Sequence, residues 1–146
     1  MKQQIGWFVL KEDTEYRNTF EFAAWYEDVL VKAGRYPVIV HDYQVNEEGR
    51  VDGFIGSVYV TMPGTVVRDY FAAHYCGVPI SDYDDYKNAG KPSQYTMHVY
   101  MYNLAADVLN GGGKYELFPD YEAREIRFTS SIDGRELTTH GIFKIA

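Results

Sequence analysis

Short runs of β-branched and aromatic residues, separated by turn-forming residues, most constrain the fold of this chain. The last two runs flank residues 132–135, where the Asp133-Gly134 pair is a strong signal for a hairpin turn. Residues 46–49 predict a second hairpin loop. Pro63-Gly64 predicts the end of the strand-forming run 51–62. The runs that predict strands are 5–10, 36–45, 51–62, 115–118, 124–131 and 136–145.

The run 51–62 has apolar residues in both of its alternating sets, which predicts a strand in the middle of a sheet. Half-buried faces of strands and helices also account for many tyrosines. We expect Tyr59, Tyr70, Tyr100 and Tyr115 on such faces.

Three segments predict helices. In 18–33, Asn18 is a suitable cap, Gly34 a suitable stop, and the apolar residues recur at helical spacing. That apolar stripe consists of Phe22, Trp25, Tyr26, Val29, Leu30 and Ala33. Residues 65–76 form the second segment, capped by Thr65 and ended by Gly77.

The third helical segment, 93–110, is ambiguous. Ser93 as a cap and the three glycines at 111–113 as a stop favour one helix. The strand-forming residues of 95–102 favour instead a strand to about Tyr102, followed by a short helix.

The order of these elements predicts an α+β fold. We expect a single two-layer domain spanning residues 1–146, with a mostly antiparallel sheet of five to six strands and two to three helices on one face. A length of 146 residues suits one domain, and no change of composition along the chain indicates a second.

The chain carries a formal charge of −7, from 21 acidic and 14 basic residues. No cluster of Lys and Arg is present in the sequence, so we do not expect direct binding to nucleic acid. A negative surface favours a basic partner, such as a groove that normally holds nucleic acid. The same charge would also serve only to keep a small domain soluble.

Cysteine content and hydrophobic runs predict the compartment. The single cysteine, Cys76, excludes an internal disulfide framework and favours the cytoplasm. The apolar run 5–10 is short for a secretory signal, and the longest charge-free runs, 53–67 and 92–106, are short for a membrane span. We therefore expect a cytoplasmic protein that does not contact a membrane.

No pattern in the sequence predicts a catalytic residue. His74 and Cys76 are two positions apart, and residues at that spacing do not face each other on the predicted helix. The glycines at 111–113 follow a predicted helix, whereas a phosphate-binding loop follows a strand. No cofactor is therefore predicted.

Metal ligation is equally unsupported by the spacing. His41-Asp42 and His74-Cys76 lack the spacing of zinc ligands. Asp82, Asp84 and Asp85 lack the glycine and the closing glutamate of a calcium loop. We therefore predict no metal site.

Tyrosines concentrate in one part of the chain. Seven of the 14 lie between Tyr70 and Tyr102, around a loop with an acidic centre. Tyrosine suits interfaces because its ring is large and its hydroxyl is polar. The predicted binding residues in the loop are Asp82, Tyr83, Asp84, Asp85 and Tyr86. The same loop would also be compatible with a solvated turn that has no partner.

Three hypotheses follow. The first is a non-enzymatic, acidic inhibitor or immunity-type module, encoded by a phage or mobile element, that occludes a basic site on a nuclease or another nucleic-acid-handling protein of a host defence system. The second is a protein that binds a nucleotide-like small molecule through aromatic rings and Arg68, Arg124 or Arg127. The third, a hydrolase using Cys76 or an acid pair, has no support from spacing. Exposed aromatic residues would also permit a homo-oligomer.

Overall fold

The computed structural model describes residues 2–20, 25–52, 56–71 and 90–145. These residues form a mostly antiparallel, strand-rich structure with one helix. The strands are β1 (Lys2–Leu10), β2 (Thr14–Thr19), β3 (Trp25–Val31), β4 (Gly34–His41), β5 (Gln44–Val45), β6 (Val51–Asp52), β7 (Ser57–Phe71), β8 (Pro92–Tyr100), β9 (Tyr115–Leu117), β10 (Tyr121–Thr129) and β11 (Glu136–Lys144). The helix, α1, is Met101–Leu109. The expected mostly antiparallel sheet is confirmed. The expectations of five to six strands and of two to three helices are wrong for the described residues, where one sheet has seven strands and one helix is present.

The chain divides into two compact units, and β7 and β8 each contribute residues to both. The first unit contains residues 1–9, 35–60 and 97–146. The second contains residues 10–34 and 61–96. The expectation of a single domain stays a prediction.

The first unit combines a sheet with a helix-covered hairpin. Strand β1 lies between β4 and β9, and β4 also pairs with the start of β7 through Ile39 and Tyr59. Strands β10 and β11 pair antiparallel along their whole length, from Tyr121 opposite Lys144 to Thr129 opposite Glu136. Helix α1 packs on this hairpin. The buried apolar residues of the unit include Ile5, Val38, Val40, Val58, Val60, Leu104 and Ile142.

Both predicted hairpin turns are confirmed. Gly134 adopts a φ of 72°, which a left-handed turn position requires, and Asp133 accepts a hydrogen bond from the backbone N–H of Arg135. That hydrogen bond holds the pKa of Asp133 below its usual value. In the loop between β5 and β6, the Asn46 side chain accepts hydrogen bonds from the backbone N–H groups of Glu48 and Arg50.

In the second unit, two paired strands lie where the sequence predicts the first helix. Strands β2 and β3 form an antiparallel pair, and β3 also pairs with the second part of β7. Val29 and Val31 are both fully buried, which is the two-residue period of a strand. The prediction of a helix over 18–33 is therefore wrong outside residues 21–24, which lie outside the described residues. Asn18 does not cap a helix; its side chain donates to the carbonyl of Gln94.

Strand β7 also continues through the predicted break. Gly64 lies against β3, because a Cβ at this position would be 2.5 Å from Val29 Cγ1 and 2.6 Å from the Leu30 carbonyl oxygen. Glycine is required here for close approach of two strands, not for a turn. Residues 65–71 are strand, so the predicted helix over 65–76 is wrong there, and 72–76 lie outside the described residues. The predicted central position is confirmed for residues 57–62, since β7 pairs with β3, β4 and β8, whereas Val51–Asp52 form β6 and pair with β5 in a separate two-stranded sheet.

The ambiguous segment follows its second interpretation. Strand β8 ends at Tyr100, and α1 follows at once and ends before the glycines at 111–113. Ser93 does not cap a helix; its hydroxyl donates to the carboxylate of the buried Glu27 at 2.7 Å. The single-helix interpretation of 93–110 is therefore wrong.

No helix among the described residues is both long and apolar enough to cross a lipid bilayer.

Candidate functional site

The binding loop predicted from the sequence lies outside the described residues. Its members are Asp82, Tyr83, Asp84, Asp85 and Tyr86, and His74 and Cys76 also lie outside the description. Their predicted roles stay predictions.

A line of aromatic side chains in the first unit is the clearest candidate for a binding surface. We call it the aromatic row: His41, Tyr59, His98, Tyr100 and Tyr102. The ring centroids of His41 and Tyr59 are 6.1 Å apart, and those of Tyr59 and His98 are 6.2 Å apart. Tyr100 and Tyr102 stack with centroids 5.5 Å apart and an angle of 14° between their planes.

Strand pairing and the start of α1 place these rings together. Tyr59 belongs to β7, between His41 at the end of β4 and His98 of β8. His98 and Tyr100 are two residues apart on β8, so their side chains point to the same side of the strand. The chain then enters α1 at Met101, which is buried, and Tyr102 stacks on Tyr100.

The aromatic row is open to solvent. Tyr100 is 57% exposed and Tyr102 is 47% exposed. His41 and His98 are also exposed, and Tyr59 is half-buried. The expectation that Tyr100 occupies a half-buried face is therefore wrong, whereas it is confirmed for Tyr59 and Tyr115. The side chain of Tyr70 lies outside the description.

Polar groups and a small cavity border the aromatic row. The Nε2 atom of His41 is 3.7 Å from the Oδ2 atom of Asp42. A cavity of about 180 Å³ lies against Ser57, His98 and Tyr100. The surface therefore offers flat aromatic faces, a carboxylate at one end and a recess into which a partner side chain would fit.

Comparison with known proteins assigns no relative to this fold or to this surface. No protein-family model matches the chain, and no curated protein or solved structure is significantly similar to it.

The arginines predicted to hold a small molecule are not gathered into one site in the first unit. Arg124 pairs with Glu122 and lies 4.6 Å over the ring of Phe143. Arg127 lies 3.8 Å from Glu125. Arg124 and Arg127 are three residues apart on the regularly paired β10, so they occupy opposite faces of it.

Arg68 belongs to the second unit, where it is exposed on β7. In that unit the side chain of Arg17 donates to both carboxylate oxygens of Asp28, at 3.0 and 3.4 Å, and lies 4.0 Å over the ring of Tyr26. The guanidinium of Arg17 therefore already interacts with protein groups.

Metal ligands are also not grouped in the described part of the chain. Its His, Cys, Asp and Glu side chains form no cluster of three or more that could hold an ion.

Sequence analysis missed the aromatic row because its five members come from three separate segments. Their proximity depends on strand order, and strand order was obscured by the predicted helices over 65–76 and 93–110. The sequence did contain one signal for part of the row. If residues 93–110 are interpreted as a strand followed by a short helix, Tyr100 and Tyr102 lie together at the boundary between the two.

Proposed function

We propose that this protein is a non-enzymatic, acidic binding module that occludes a basic site on another protein. The observation that carries the proposal is the exposed aromatic row, with Tyr100 and Tyr102 stacked at 5.5 Å and about half exposed. Tyrosine is enriched among the residues that dominate binding energy in protein interfaces.

The aromatic row and the charge of the chain favour the same kind of partner. Arginine stacks on tyrosine faces through cation–π contact, and its guanidinium pairs with carboxylates. A net charge of −7 attracts a basic surface over distance and raises the rate of encounter. A partner that normally handles nucleic acid has such a surface.

The acidic loop remains part of the proposal. In the sequence it precedes β8, the strand that carries His98 and Tyr100, by a few residues. In this account Asp82, Asp84 and Asp85 mimic phosphate charge, while Tyr83 and Tyr86 supply apolar area. An inhibitor encoded by a phage or mobile element against a host nuclease is the class of protein that these features fit.

Capture with matched variants tests the proposal. The wild-type protein, the double variant Tyr100→Ala/Tyr102→Ala and the control Leu109→Ala/Phe128→Ala would each be immobilised and exposed to bacterial lysate at low and high salt. The control removes side chains of similar exposure, 46% for Leu109 and 45% for Phe128, outside the aromatic row. Circular dichroism would first confirm that all three proteins fold.

We expect a basic, nucleic-acid-handling protein to be retained by the wild type and by the control at low salt, and lost at high salt. The double variant should not retain it. The purified partner should then lose its nucleic-acid binding when the wild-type protein is added. Equal capture by the double variant would contradict the proposal.

A second variant tests the acidic loop separately. Replacement of Asp82, Asp84 and Asp85 by Asn, together with Tyr83→Ala and Tyr86→Ala, should leave folding intact and abolish binding. Unchanged affinity in this variant would show that the loop is not part of the binding site. The role of the aromatic row would then depend on the result for Tyr100→Ala/Tyr102→Ala.

A further inference from the structure

A cleft in the first unit has the composition of a small-ligand site. It lies where β6 ends, beside the first residues of α1 and the middle of the hairpin β10–β11. Its volume is about 190 Å³. Among the described residues, this cleft shares only Tyr102 with the aromatic row.

The floor of the cleft is apolar. Val51 and Met101 are buried there, and Ile126 is half-buried. A Cβ at Gly141 would lie 2.8 Å from Ile126 Cδ1 and 3.5 Å from Arg50 Cδ, so glycine lets both side chains pack directly on the strand. The flat backbone and these side chains would contact the face of a planar ligand.

One ion pair supplies the polar edge. The Nε atom of Arg50 donates to Oδ1 of Asp52 at 2.8 Å. The two terminal amino groups of Arg50 and the second oxygen of Asp52 have no protein partner in the described part of the chain. Both side chains are about 40% exposed, so these groups remain accessible.

This arrangement selects the chemistry of a ligand. The Nε–Oδ1 bond holds hydrogen-bond donors of Arg50 beside an acceptor of Asp52, and the pair carries no net charge. The complementary ligand is therefore uncharged and presents an acceptor and a donor on neighbouring atoms. Tyr102 adds an aromatic side chain to the lining.

The volume limits the size of that ligand. A cleft of about 190 Å³ holds the equivalent of about six water molecules. Sites for larger organic ligands usually measure at least about 300 Å³. The space is therefore sufficient for one ring system and not for a whole nucleotide.

We propose that this cleft binds a single flat, uncharged heterocycle whose edge carries a donor next to an acceptor, as the edge of a nucleobase does. The floor contacts the face of the ring, Asp52 accepts the ring N–H, and Arg50 donates to the neighbouring carbonyl oxygen. This inference does not depend on the protein-binding function proposed above.

Two matched probes test the proposal. 1-Methyluracil has an N–H between two carbonyl groups, and 1,3-dimethyluracil is the same ring with that N–H blocked. Each would be titrated into the ¹⁵N-labelled protein up to about 20 mM, since ligands of this size bind in the millimolar range. Backbone resonances would be followed by nuclear magnetic resonance.

We expect 1-methyluracil to produce saturable shifts at residues 50–52 and 139–141, and 1,3-dimethyluracil to bind at least about tenfold more weakly. Asp52→Asn and Arg50→Gln should each weaken 1-methyluracil binding by about tenfold. Arg124→Gln is the control, because Arg124 is also ion-paired and belongs to β10 of the hairpin but does not line the cleft. Spectra of the free variants would show that each is folded.

Three results would overturn the assignment of the cleft. They are equal binding of the two probes, shifts that map away from the cleft, and no saturable shift with 1-methyluracil at the highest concentration. The capture variant changes Tyr102, which lines the cleft, but the two tests stay distinguishable because Arg50→Gln and Asp52→Asn leave Tyr100 and Tyr102 unchanged.

Discussion

Two groups of aromatic residues in the first unit differ in how much of their surface is exposed to solvent. In the group at β1 and β9, Phe8 packs on Tyr115 at 5.5 Å, and Trp7 meets Phe118 edge to face at 6.2 Å. We call these four residues the covered set; Phe8 is buried and the other three are half-buried. The rings of the aromatic row contact each other in a similar way, but Tyr100 and Tyr102 remain about half exposed.

The difference separates a role in stability from a role in binding. Burial of apolar area in the covered set contributes to the free energy of folding. Exposed rings contribute little to it, and large exposed aromatic surfaces are typical of interaction sites. Substitutions in the covered set should therefore change stability, and substitutions in the aromatic row should change binding.

Phe8→Ala should have the largest effect on stability. Truncation of a buried phenylalanine removes its contact with Tyr115 and leaves a cavity, which costs about 3 kcal/mol of unfolding free energy. Urea unfolding followed by circular dichroism would measure the loss. The fraction that remains folded should bind the partner with wild-type affinity, and an affinity change as large as the stability change would break the distinction.

Tyr121 extends the comparison to pH. Burial, together with the neighbouring Tyr43 hydroxyl, raises the pKa of Tyr121 to about 12 from 10.0. The unfolded chain therefore loses this proton at lower pH than the folded chain does. The stabilisation is fully present below pH 10 and falls as the pH rises from 10 towards 12.

The unfolding free energies of the wild type and of Tyr121→Phe would be measured between pH 9 and 11.5. This range lies around the unfolded pKa of 10.0 and reaches towards the folded pKa of about 12. The variant should lose less stability over this interval. If the unfolding free energies of the two proteins changed in parallel with pH, titration of Tyr121 would not be the cause of the loss of stability.

Tyr100→Ala/Tyr102→Ala should change stability by only about 1 kcal/mol, because the lost stack is largely solvated. Thermal unfolding of the variant beside the wild type would measure this. A loss similar to that of Phe8→Ala would place Tyr100 and Tyr102 among the structural residues.

Arg35→Gln should have the smallest effect. Arg35 pairs with Glu116 and lies 5.2 Å over Trp7, but both members of the ion pair are more than half exposed. We expect a loss of about 0.5 kcal/mol that shrinks at high salt. A much larger loss would mean that Arg35 is a necessary part of the cover over Trp7.

Local signals predicted some elements correctly because the information was short in range. The Asp133-Gly134 turn and the loop at 46–49 depend on residues within a few positions of each other. The strands beside them follow from β-branched and aromatic composition. These elements needed no knowledge of their neighbours.

The failures came from contacts between distant segments. Trp25–Val31 has apolar residues at spacings that fit a helix and a strand alike, and pairing with β2 and β7 decides between them. Gly64 resembles a chain breaker until the approach of Val29 is known. The aromatic row and the cleft at Arg50 depend on the same long-range pairing, so neither was predictable from spacing.

Oxidative footprinting of the purified complex is the most direct test of the aromatic row as the binding face. Tyr100 and Tyr102 should be labelled in the free protein and protected in the complex, while Phe128, which is 45% exposed, should be labelled equally in both. Protection at Phe128 with unchanged labelling of Tyr100 and Tyr102 would contradict the account.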